Sequence, residues 1–146
     1  MRLDARRTGE AIAAARGELA RIWRSARATA ADGRRAPAAA LDGVVEAFVG
    51  AVGDALARGA PPEEAWERTT GLVRLEAEPD GGTAEAEWRL LGEVLSSACE
   101  TLEADADATD RVAQAVDAGR RGIEALRAGR RKPGVAVAWR VGRVRR

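Results

Sequence analysis

The chain has no histidine, no tyrosine and a single cysteine, Cys99. Without histidine it lacks the usual general base, the commonest transition-metal ligand, and any Ser-His or Cys-His nucleophile pair. One thiol excludes an intrachain disulfide and a zinc-binding thiolate cluster. Aromatic residues are 3% of the chain although hydrophobic residues are 46%, so the bulk of any core must come from alanine, valine and leucine, helped by four tryptophans and one phenylalanine. No apolar run approaches the roughly 18 to 20 residues that span a bilayer. The opening Met1-Arg2-Leu3-Asp4-Ala5-Arg6-Arg7 has no apolar stretch of the kind a secretory signal carries. Phosphate-binding glycine loops and nucleophile elbows are missing as well. Together these absences predict a cytoplasmic chain that is not an enzyme and holds no cofactor or metal.

What is present is helix. Alanine is the strongest helix former, and β-branched residues are few before the last segment. The 146 residues suffice for one ordinary domain with a buried core. Punctuation by glycine and proline divides the chain into amphipathic segments. The first, Leu3 to Ala31, carries Ile12, Leu19, Ile22, Trp23 and Ala26 at helical spacing, with Gly9 loosening its early turns. The second, Pro37 to Arg58, repeats Leu41, Val44, Val45, Phe48, Val52 and Leu56. The third opens at Pro61-Pro62-Glu63-Glu64 and carries Trp66, Leu72 and Val73 to Leu75. The fourth follows Pro79-Asp80-Gly81-Gly82 with Trp88, Leu91, Leu95, Ala98 and Leu102; a fifth, after a break at Asp105 to Thr109, turns Val112, Val116, Ile123 and Leu126 inward. No stripe can be buried by its own helix. The expected fold is all-α, a bundle of four to five helices over residues 1–129, followed by an extended basic tail over 130–146. Gly50, Gly53, Gly92 and Gly119 would serve close helix approach.

The net charge of +1 conceals an asymmetry. Residues 127–146 hold eight basic residues and no acid, leaving residues 1–126 at −7; residues 60–110 alone carry −11. Within the tail, Val135, Val137, Trp139 and Val141 alternate with smaller or charged residues at strand period, and no other segment reads as a strand to pair with them. Arg130, Arg131 and Lys132 precede this run; Arg140, Arg143, Arg145 and Arg146 interrupt and follow it. The tail is therefore the candidate interaction site, for a protein partner by strand addition or for nucleic acid or an anionic surface by phosphate contact; the other reading is a solubilising end, or one that folds back onto the acidic face of its own bundle. Its alternating valines favour docking over simple electrostatics.

The carboxylates at Glu63, Glu64, Glu67, Glu85, Glu87 and Glu93 cluster at helix starts, where the helix dipole accounts for them. Asp105, Asp107 and Asp110 lack the glycine and closing glutamate of a calcium loop. Cys99 follows Leu95 by one turn and reads as a buried small hydrophobe. Trp23, Trp66 and Trp88 lie on apolar stripes; Trp66 and Trp88 are the candidates for a ligand pocket.

The stretch from Ala38 to Leu126 resembles the RsbRD-type N-terminal input domain. The likeness rests on Leu41-Asp42-Gly43-Val44-Val45-Glu46-Ala47-Phe48, then Trp66-Glu67-Arg68, then Glu87-Trp88-Arg89-Leu90-Leu91. Trp88 stands where members usually carry tyrosine, and the histidine often seen in the preceding helix is missing. The resemblance implies sensing or scaffolding by a helical bundle, without catalysis, as in modules that precede output domains of stress-response co-antagonists and some bacterial sensor kinases. The expected function is a regulatory or scaffold module acting through protein contacts, self-associating as a dimer, with the tail as its docking peptide. The alternative is a nucleic-acid- or anionic-surface-associated protein using that tail.

Overall fold

Six α-helices and one short 3-10 turn make up the computed structural model, which describes residues 2–30, 41–73 and 83–131. The helices are α1 Ala5–Ala14, α2 Arg16–Ala30, α3 Val45–Arg58, α4 Glu64–Thr69, α5 Thr83–Thr101 and α6 Ala106–Arg131. The all-α bundle expected from the sequence is what the described residues form. No helix among them is long and apolar enough to cross a membrane.

α3 occupies the centre, packing on α1, α2, α4 and α6, while α5 lies between α2 and α6. Its apolar residues are nearly continuous, so it buries Val45, Phe48, Val49, Val52 and Leu56 where the outer helices bury one stripe. It ends on Gly59, whose φ of 72° supplies the left-handed cap. Residues 41–44 form turns ahead of α3, so the helix starts later than the sequence reading, and positions 37–40 lie outside the described residues.

The single first helix of the sequence reading is two. At Ala15 the N–H is shared between the Ala11 and Ile12 carbonyls, 3.0 and 3.1 Å away, and the axis bends. The bend lets α1 lie on α3 while α2 leans towards α5. Close approach is what Gly9 provides: a Cβ there would stand 2.5 Å from the Gly53 carbonyl oxygen, and one on Gly53 would stand 2.5 Å from the Ala13 nitrogen. The two glycines face each other across the crossing, so Gly9 belongs to packing and does not loosen the helix.

Three stripe residues point outward. Ile22 is 46% exposed, because its neighbour Trp23 takes the inward direction about 100° round the helix. Leu72 is exposed because the tighter turn at Thr70–Leu72 shifts the register and returns Val73 to the core. Leu126 is exposed because Arg127, one turn after Ile123, points in and pairs with Glu85 of α5. The break before α6 is shorter than expected. Asp105 caps it by accepting from the Ala108 N–H at 2.8 Å, and the helix continues through Gly129 to Arg131.

The chain start is tied to the α5–α6 turn by a parallel β-bridge, Leu3 N–H to Glu103 O at 2.9 Å and Asp105 N–H to Leu3 O at 2.8 Å. On the opposite side Asp54 pairs with Arg68 and Arg58, whose hydrogen bonds hold its carboxyl below the usual aspartate range. That contribution is present at neutral pH and fades as pH falls through the depressed value. With these side chains about half exposed, the ion pairs are secondary to the glycine crossing. Gly53→Ala is expected to cost about 2 kcal/mol in urea unfolding, because α1 and α3 must part. Gly17→Ala, where an added Cβ meets nothing closer than 3.9 Å, is expected to gain about 0.5 kcal/mol.

Candidate docking groove

Antiparallel helices usually close over their shared face; here α2 and α5 leave a groove. Their direction is set at the two ends, where Leu3 meets Glu103 and Ala104, and where Arg27 meets Glu87. On the first side Ala15, Leu19, Ile22 and Ala26 follow a four-three-four spacing; on the second Leu90, Val94, Ser97 and Thr101 do the same. Such rows keep one face aligned over about 16 Å at 1.5 Å per residue. Ala11, Ala15, Ala26 and Ala98 give the wall little bulk, and Ile12 and Leu102 close one end. The result is an open hollow of about 410 Å³, apolar except for Glu93, Ser97 and Thr101 along the α5 edge.

The groove is held by buried polar bonds. Trp23, fully buried on α2, donates from Nε1 to the Glu87 carbonyl oxygen at 3.0 Å. The side chain of Glu87, a residue only 5% exposed, accepts from Arg27 Nε at 3.3 Å and from the Leu41 N–H at 3.4 Å. Glu87 is therefore not the solvated helix-start acid that its position in the sequence implies. It joins α2, the turn before α3, and α5 at one point, and a buried carboxylate so bonded is costly to unpair.

The candidate pocket residues Trp66 and Trp88 meet edge to face, ring centroids 5.7 Å apart. Trp88 is buried, lies 4.6 Å from the Phe48 ring and donates from Nε1 to the Val116 carbonyl at 2.8 Å. On α6, Gly119 and Gly122 face these indoles so closely that an added Cβ would overlap the Trp88 and Trp66 rings respectively. Trp88 also borders a cleft of about 440 Å³ between α5 and α6, with Arg89, Asp117 and Arg120 along it. Of the tail candidates, Arg130 and Arg131 have helical backbones at the end of α6. Lys132, Val135, Val137, Trp139, Arg140, Val141, Arg143, Arg145 and Arg146 lie outside the described residues.

Cys99 is buried beside Thr109 and Val112, and desolvation pushes its thiol above the usual range. Among the described residues no three His, Cys, Asp or Glu side chains converge as metal ligands would. Comparison with family models, curated proteins and solved structures found no match. The groove itself was not read from the sequence; its signal was Ile22, which shares a four-three-four row with Leu19 but cannot face the core together with Trp23.

The division between groove and core is measurable. Ile22→Ser is expected to change unfolding stability by less than about 0.5 kcal/mol, since the side chain is already half in water. Ile12→Ala, removing a fully buried side chain, is expected to cost about 3 kcal/mol. Equal costs at both positions would place Ile22 in the core.

Proposed function

We propose that this protein is a non-catalytic regulatory or scaffold module that works through protein–protein contacts, with the groove between α2 and α5 as a contact surface and the C-terminal residues as a docking peptide. The observation that carries the reading is an apolar hollow rimmed by Ile22, Leu90 and Val94, with a buried Trp23–Glu87 bond fixing one end and the Leu3 backbone bridge the other. Isolated exposed apolar residues need no explanation, but an aligned concave set is the usual form of a groove that accepts an apolar segment. Preorganisation supports it, because a groove already shaped does not have to be ordered on binding. The likeness of residues 38–126 to RsbRD-type input domains agrees with such a role, in the cytoplasm and without a cofactor. Self-association belongs to this reading.

Residue-specific photo-crosslinking in the native host tests it. A photoreactive residue at position 22 is expected to yield discrete protein adducts, and one at Gln114, on the exposed side of α6, none. Absence of adducts at both positions, with the protein present at its normal level, would count against a contact function.

A further inference from the structure

The chain leaves α6 near the start of α5, at the same end of that helix as the Leu90 end of the groove, and the residues that follow have the composition to fill it. Arg127 pairs with Glu85 in the first turn of α5, so Arg131, one turn on, ends α6 next to the start of that helix. We propose that the groove receives residues Val137–Val141 of the same chain, making the C-terminal segment a tethered occupant that a protein partner must displace. This rests on reading the groove as a contact surface.

Reach is sufficient. Leu90, the first groove residue of α5, is about 10 Å along the axis from Thr83, and the helix to be passed is about 10 Å across. Six residues from Arg131 to Val137 extend up to about 20 Å.

Shape favours a narrow occupant with bulky side chains. A second copy related by a two-fold axis would set hollow against hollow and leave both unfilled, against the close packing that stable interfaces need. Alternate residues of a chain share one side when it is extended, and here these are Val135, Val137, Trp139 and Val141. An alanine-lined wall has room for such side chains.

Charge gives the same assignment. Glu93 lines the groove and Glu100 lies seven residues further along α5; neither has an ion-pair partner among the described residues. The segment has Lys132 before its apolar run, Arg140, Arg143, Arg145 and Arg146 within and after it, and no acid. A chain entering at Leu90 and running towards Thr101 carries its arginines to the end of α5 that holds Glu100.

The test compares the full chain with a full-chain variant, Val137→Asp with Trp139→Ser, by amide chemical shifts and by binding of Nile red, an uncharged apolar dye. Both substitutions follow α6, and the buried core of the described residues ends at Ile123, so the bundle is retained. The variant is expected to shift the amides of Ile22, Val94 and Ala98 while leaving Arg68 and Gln114 in place. Dye affinity should rise about tenfold, because a tether at millimolar effective concentration no longer competes. Unchanged shifts with equal dye binding would overturn the proposal and leave the groove as an open contact surface. Unchanged shifts with no dye bound by either chain would overturn the proposal and remove the observation behind the contact function as well. Groove shifts that appear only at concentrations where light scattering finds dimers would assign the segment to a second copy and overturn the same-chain claim.

Discussion

One indole organises the bundle. Trp88 projects from α5 into the space left by Gly119 on α6, bonds the Val116 carbonyl, and meets Phe48 of α3 and Trp66 of α4 with its ring. Four helices are therefore registered against a single side chain. In a core otherwise built from alanine, valine and leucine, a large planar group opposite a missing Cβ is the most shape-specific contact available. Gly122 repeats the arrangement one turn later for Trp66.

The groove follows from the same constraint. With one side of α5 committed to α6 through Trp88, the row at Leu90, Val94, Ser97 and Thr101 is turned away from α6 and towards α2. α2 cannot slide over to cover it, because Trp23 and Arg27 are bonded to Glu87 at one end of the pair. At the other end α1 is fixed by its glycine crossing with α3 and by the Leu3 bridge. Small residues along both walls then leave a hollow where larger ones would have met. The acidic edge of that hollow and the basic composition after α6 belong to one chain, and this gives the charge asymmetry of the sequence a structural setting.

Much of this architecture was legible from periodicity. The stripe of α3 and the inward set of α5, Trp88, Leu91 and Leu95, occupy the core as their spacing requires. What spacing does not resolve is the choice between neighbours. Ile22 and Trp23 both fit a helical stripe, and only the bonding partner of the indole decides that the isoleucine is displaced. Glu87 looks like any acid in a first helical turn until Arg27 and the Leu41 N–H arrive from distant parts of the chain. Gly9 is equally opaque, since its role is defined by Gly53, 44 positions away in sequence. The Ala15 bend has no glycine or proline of its own to mark it, and arises from what α1 and α2 each pack against. The proposed docking residues, by contrast, stand out in sequence alone, because alternation and charge are local properties.

Trp88 and Gly119 act as a fitted pair, and a double-mutant cycle in urea unfolding reads their coupling. Gly119→Ala alone is expected to cost about 3 kcal/mol, because the new methyl occupies the place of the ring. In a Trp88→Leu background the same substitution should cost less than about 1 kcal/mol, a coupling of about 2 kcal/mol. Additive costs, with Gly119→Ala equally harmful when the indole is gone, would show that the ring and the missing Cβ are not matched.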